Sequence, residues 1–272
     1  MKLVTILGAS GFIGSHLAAR LRELGIDCFC PTRGEEITDR NLGEVIYCIG
    51  MTADFRTRPF DTVEAHVSEL GRVLQKCNFD SLLYLSSARV YGSGNDTREN
   101  ADVSVNPTEP GNLYNISKLM GESLCVAGPQ RTRVARLSNV YGGDFASENF
   151  LSAIIREAVG AGKITLRTSL NSEKDYVSIS DVVDLIINIA SSGRERIYNV
   201  ASGTNVSNRE LAEKIQALTD CKIEVAPNAP TITFPLIDIE RSRTEFGIRP
   251  SSVLDEMADL LSIFKGSVGG RA

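Results

Sequence analysis

The stretch KLVTILGASGFIG at the amino end constrains the fold of this chain more than any other segment. Its apolar half has the length and β-branched content of a buried strand. Its second half spaces Gly8, Gly11 and Gly14 three residues apart, and GSHLAARLRELG then reads as a helix with Leu17, Leu21 and Leu24 on one face, stopped by Gly25. A strand that enters a helix through such a bend aims unpaired N–H groups and the positive end of the helix dipole at one point. Glycine lets a pyrophosphate approach that backbone closely. The spacing is G-x-x-G-x-x-G rather than the commoner G-x-G-x-x-G. Gly8, Ser10, Gly11, Phe12, Ile13 and Gly14 are the candidate phosphate-holding residues of a dinucleotide site.

The rest of the chain repeats the strand–helix alternation. DCFCPT, EVIYCIG, SLLYLSS and TRVARLSNV read as strands, and residues 61–77 and 114–127 read as helices between them. On the first of these helices Val63, Val67, Leu70 and Leu74 form the apolar stripe. The expected fold is α/β: a Rossmann-type doubly wound parallel sheet with a smaller, interleaved C-terminal α+β part for substrate binding. The expected division assigns 1–142 and 176–200 to the dinucleotide-binding domain, and 143–175 and 201–272, with a closing helix from about Ser252, to the smaller one. Residues 92–113 form a long polar loop, a kind that is often functional.

Bulk properties exclude several other classes. The net charge of −5 argues against a broad nucleic-acid surface. No apolar run approaches the ~20 residues that span a bilayer. The six cysteines lie largely in apolar segments, as free thiols of a cytoplasmic protein would. Cys28 and Cys30 share a strand face without a second Cys/His pair, and His16 and His66 are the only histidines, so no metal site is expected.

The second strand ends in Thr32, where an acid would bind the ribose of NAD, and Arg33 follows. A guanidinium suits a 2′-phosphate, which favours NADP(H), with NAD(H) as the alternative through Glu35 or Glu36.

GASGFIG, LYLSSARVYG, YNISK, RLSNVYG, DYVSISDVV and YNVASG occur in the order seen in the NAD-dependent epimerase/dehydratase family, which the chain resembles from residue 1 to about 250. The family is the extended branch of the short-chain dehydrogenase/reductases. The resemblance implies a catalytic set of Ser87, Tyr114 and Lys118, with the tyrosine moving a proton and Lys118 also holding the nicotinamide ribose. Independently of the family, Lys118 lies one helical turn beyond Tyr114, and an ammonium there favours the phenolate. Ser86 adjoins Ser87, but alternate strand residues face opposite ways, so only one of the two can serve. Ile49, Gly50 and Met51 are expected to line the cofactor.

The implied substrate is a nucleotide-diphosphate sugar. Asn139 fits the family's sugar-nucleotide Asn, Lys174 stands where the family often has Arg, and Arg167 and Arg241 are further phosphate candidates. The Asp-Glu pair of the family's dehydratases is replaced by Ala88 and Arg89. That leaves a 4-ketoreductase, a 4-epimerase with tightly held NAD, or a non-catalytic sensor or assembly subunit. The resemblance also implies a homodimer through helices 61–77 and 114–127. The segment RGEEITDRNLGE is too short for the strand and helix that the family often carries there.

Overall fold

Val4–Leu7 (β1) is buried along its whole length, as a strand covered on both faces must be. The computed structural model describes residues 3–52, 54–128 and 131–269. After β1 come α1 (Phe12–Glu23), β2 (Cys28–Phe29), β3 (Glu44–Tyr47), α2 (Pro59–Val63), a π turn over Glu64–Ser68, and α3 (Glu69–Lys76). Next are β4 (Ser81–Ser87), α4 (Leu113–Ala127), β5 (Thr132–Leu137), β6 (Asn139–Tyr141), α5 (Phe150–Ala161) and β7 (Lys163–Leu166). The chain continues through β8 (Glu173–Ser178), α6 (Ile179–Ser192), β9 (Ile197–Val200), β10 (Asn205–Ser207) and α7 (Asn208–Thr219). It closes with β11 (Lys222–Val225), α8 (Glu240–Phe246) and α9 (Met257–Gly269).

Six strands form one sheet in the order β2-β1-β3-β4-β5-β9, with every neighbouring pair parallel. Leu17 and Leu21 of α1 pack with Val182, Ile186 and Ile189 of α6 on one face. Leu70 and Val73 of α3 and Cys125 of α4 cover the other. The chain runs outward from β1 to β2, then returns past β1 to β3. The carboxyl ends of β1 and β3 therefore flank a switch point, where such sheets open a crevice.

A three-stranded sheet, β10-β8-β6, and a two-stranded one, β11-β7, stand apart from the six-stranded sheet; β8 and β6 bridge the two cores, with Val177 in the core under the main sheet and Tyr176 and Tyr141 in a second one. That second core also joins Ile154, Ile155, Leu211, Ile215, Leu261 and Phe264. The long loop is stitched to the segment before α8: Thr97 Oγ1 donates to Leu236 O at 2.7 Å and accepts from Asp238 N at 2.9 Å.

Several elements differ from the sequence expectation for identifiable reasons. Leu24 caps α1 and is 48% exposed, because the helix ends before that position turns inward. On the next helix Thr62 and His66 face the core, while Val63 is exposed. The π turn adds a residue and rotates the preceding stripe by about one position. TRVARLSNV is two strands: Ser138 breaks it by bonding Asp175, and β6 joins the small sheet. The closing helix begins at Met257, after a turn in which Ser252 O accepts from Asp255 N and Glu256 N.

All six cysteines are free. Among the described residues no helix is long and apolar enough to cross a membrane, and no cluster of three or more His, Cys, Asp or Glu is placed to hold a metal.

Candidate active site

The glycine bend forms a cradle with no room for a side chain at Gly8 or Gly14. A Cβ on Gly14 would lie 2.3 Å from Gly8 O, and one on Gly8, whose φ is +88°, would lie 3.0 Å from Ile49 N. Gly11 N donates to Gly8 O at 3.1 Å, closing the turn. No side chain caps α1 and no acid occupies its first turn, so its N-terminal N–H groups are open to an anion. These features fit a dinucleotide pyrophosphate. Ile49 packs beside the bend, and Gly50 and Met51 follow β3 along the crevice.

Past β2, Glu35 accepts from Thr32 N and Oγ1 at 2.9 and 3.2 Å. Glu36 accepts from Ile37 N and Thr38 N at 3.2 and 3.1 Å. Both acids are thus occupied within their own loop, and Arg33 is exposed. No further strand lies between β2 and β3 among the described residues.

At the carboxyl end of β4 the two serines separate. Ser86 Oγ donates to buried Glu122 at 2.5 Å, whereas Ser87 accepts from Arg89 N at 3.2 Å on the other side of the strand. Tyr114, in the first turn of α4, is 5% exposed. Burial raises the phenol's pKa, while polar contact with Ser87 and Thr52 and the nearby Arg89 guanidinium act to lower it. Arg89 is a cation beside the phenol that the helical spacing does not show, its guanidinium 5.4 Å from the Tyr114 ring centroid. Lys118 Nζ donates to Leu85 O at 2.8 Å and lies 5.0 Å from the Tyr84 ring centroid. Burial lowers its pKa to about 7 against the attraction of Glu122. Gly50 lies next to it: a Cβ there would be 3.4 Å from Lys118 Nζ and from His66 Nε2.

His66 ties the two halves of the site together. Met51 N donates to its Nε2 at 3.1 Å, and its Nδ1 meets Ser117 Oγ at 2.9 Å. Ser117 Oγ in turn donates to Tyr114 O at 2.9 Å. Burial, and then the charge of Lys118, lowers the His66 pKa to about 3, so the ring is neutral at physiological pH. Its π turn packs tightly on α4, where a Cβ on Gly121 would lie 2.8 Å from His66 O. Thr52, Phe55 and Arg56 also reach the site from CIGMTADFR. Sequence reading missed their roles and that of His66, because a π turn and a loop conformation leave no periodic signature.

The expected substrate residues are spread over several elements, β6, β8, the end of β7 and α8. Asn139 Nδ2 donates to Asp175 O at 2.8 Å. Lys174 Nζ lies 4.7 Å from the Phe150 ring centroid and 5.6 Å from that of Tyr176, and burial lowers its pKa to about 8. The adjacent Tyr176 hydroxyl is buried without a hydrogen-bond partner. Arg167 is exposed just past β7. Arg241 donates to Ile197 O at 2.6 Å and faces buried Glu99 at 3.5 Å, so its guanidinium is engaged within the protein.

The NAD dependent epimerase/dehydratase family matches residues 4–201 of this chain. The chain belongs to that family.

GDP-6-deoxy-D-mannose reductase of Pseudomonas aeruginosa is 26% identical over 249 residues, covering 81% of each chain. The dTDP-4-dehydro-6-deoxyglucose reductase of Escherichia coli is 27% identical over 194 residues, covering 67% of this chain and 60% of that one. UDP-glucuronic acid decarboxylase 1 of Danio rerio is 23% identical and covers 94% of this chain and 70% of its own. Among solved structures, MoeE5 in complex with UDP-glucose and NAD superposes with a TM-score of 0.82 at 20% identity, over 97% of this chain and 99% of that one. RMD from Pseudomonas aeruginosa complexed with NADPH gives 0.79 at 20% identity over 98% of both. At that identity the likeness shows the Rossmann-type fold of this epimerase/dehydratase family member.

Proposed function

We propose that the chain is an NADP(H)-dependent 4-ketoreductase of a nucleotide-diphosphate sugar. The carrying observation is the buried Tyr114 phenol beside Ser87 at the sheet's carboxyl edge. Its raised pKa keeps it protonated at neutral pH, ready to donate to a carbonyl oxygen that Ser87 also contacts. Bound in the crevice, a nicotinamide dinucleotide supplies or accepts the hydride. Gly8, Gly11 and Gly14 hold its pyrophosphate. Lys118, with Gly50 and Met51, lines the nicotinamide side, and exposed Arg33 favours a 2′-phosphate. Ala88 and Arg89 stand where the elimination acids of a dehydratase would, and two of the relatives are nucleotide-sugar reductases. Lys174, desolvated by Phe150 and Tyr176, would neutralise the substrate diphosphate together with the free Tyr176 hydroxyl, and Asn139 would border it.

Exposed apolar residues suit a second copy of the chain: Phe60 on α2 is 87% exposed, and Met120 and Val126 on α4 are 51% and 52% exposed. A homodimer through these helices is part of the proposal, and Phe60→Asp should yield a monomer by light scattering.

Titration with NADPH and NADH, followed by turnover on nucleotide 4-keto sugars, tests the activity. Tyr114→Phe should bind cofactor normally and lose about 10²–10⁴-fold in turnover. Near-normal turnover by that variant would overturn the assignment. NAD retained through purification would favour the epimerase.

A further inference from the structure

Two arginines converge beside the proton donor with no anion among the described residues to answer them. Arg89 follows Ser87 and donates through Nη2 to Gly111 O at 3.1 Å. Its guanidinium lies 5.0 Å from the Phe55 ring centroid and 5.4 Å from that of Tyr114. Arg56 stacks on the same Phe55 ring at 4.5 Å. Phe55 is 1% exposed, so a fixed apolar plate carries both cations. Among the described residues neither guanidinium has an ion-pair partner, whereas Arg58, two positions away, pairs with Asp61 at 2.8 Å.

Burial lowers the Arg89 pKa, the Arg56 charge lowers it further, and the Tyr114 phenol opposes both. A guanidinium nevertheless stays charged at any physiological pH. Half-buried, unneutralised and repelled by its neighbour, it is a group that an anionic ligand would relieve. The position indicates which part of the ligand carries that charge. A substrate oxygen must reach the Tyr114 hydroxyl, so a group held against the guanidinium on the same ring belongs to the reacting sugar. The diphosphate has its own candidate partner in Lys174, on β8.

We infer that Arg89 and Arg56 bind a carboxylate on the reacting sugar, so that the chain selects acidic nucleotide sugars, of the uronate type, over neutral ones. The planar fork of Arg89 suits a two-oxygen carboxylate, and Arg56 at the exposed rim would draw it in. This inference rests on the proposed function, because it requires a nucleotide sugar at Tyr114.

The test is calorimetric titration of the NADP⁺-loaded protein with two matched pairs, UDP-glucuronate with UDP-glucose and GDP-mannuronate with GDP-mannose, and with UDP and GDP alone. In at least one pair the acidic sugar should bind about 10-fold or more tighter than the neutral one, as a charge-assisted pair implies. Arg89→Gln should reduce that preference to about 2-fold and leave the affinity for the bare nucleotide unchanged. Arg56→Gln, on the surface, should lower the preference partway and serves if Arg89→Gln does not fold. Equal binding of acidic and neutral sugars overturns the inference and spares the nucleotide-sugar reading. Loss of bare-nucleotide affinity in Arg89→Gln assigns the cations to the diphosphate and also overturns it. If NADP⁺ binds but none of the sugar nucleotides does, the nucleotide-sugar reading fails and the inference fails with it.

Discussion

Arg136 and Arg89 stand close to the same end of the sheet and are treated oppositely by their surroundings. Arg136 lies on β5 in register with Ser86, and both its side chain and that of Glu122 are 5% exposed. Three contacts of 2.7 to 3.1 Å join it to that carboxylate. Its remaining Nη1 donates to Tyr91 Oη at 3.0 Å, and Tyr91 donates to Asn199 Oδ1 at 2.8 Å. Glu122 also receives Ser86. Every strong group in that network is answered from within the chain; burial works to lower the Arg136 pKa, but the hydrogen bonds and charge of Glu122 hold it raised. Arg89 is only half-buried, rests on rings and one carbonyl, and has no carboxylate partner among the described residues. A cation completed internally is architecture; one left incomplete at the rim of a crevice is available to a ligand.

The sharpest way to break the contrast is Glu122→Ala. It strands Arg136 as a buried charge, so the urea midpoint should fall by the equivalent of about 3–5 kcal/mol. A change under about 1 kcal/mol would mean that water or a rearrangement answers the guanidinium. Tyr91→Phe removes a smaller part, leaving Asn199 Oδ1 and one Arg136 N–H unanswered. A loss of about 1–3 kcal/mol is expected in the same melt.

Lys118 is an intermediate case: fully enclosed, yet held by one carbonyl and a ring. Its folded pKa, about 7, lies below the unfolded lysine value of about 10.4, so the unfolded chain binds the extra proton between them. The penalty for burying the charge is complete below pH ~7 and disappears as pH rises toward ~10. The cofactor-free protein should therefore gain stability across that window, and Lys118→Met should flatten the gain. An unchanged pH slope in the variant would place the titration elsewhere. The smallest effect belongs to Arg89→Gln, which should shift the urea midpoint by the equivalent of about 1 kcal/mol or less, since it strands no charge and loses only the bond to Gly111 O. A loss as large as that of Glu122→Ala would make Arg89 a structural residue.

How much of the site was legible depends on how local each part is. The glycine bend, β1 and α1 are consecutive, and their geometry follows from residue size and helix-end polarity. Tyr114 and Lys118 share a helical face, and YNISK shows their spacing directly. Strand alternation alone did not choose between Ser86 and Ser87; the resemblance named Ser87, and Ser86 is bonded to Glu122, 36 residues on. Arg241 looked like a phosphate ligand by type, but Glu99 and the Ile197 carbonyl engage it across the fold. The stripe of residues 61–77 was misphased because a single π turn shifts every position before it.

Taken alone, the sequence determined the layered α/β fold, the dinucleotide bend and the tyrosine–lysine spacing, because strand alternation, helix period and glycine backbone freedom act between near neighbours. Tertiary structure decided which charged groups are satisfied and which stand open. Neutralising a buried charge requires a partner brought within about 4 Å from a distant part of the chain, and that proximity is absent from any single segment. For this reason Arg136 and Arg89, alike as letters, differ as chemistry.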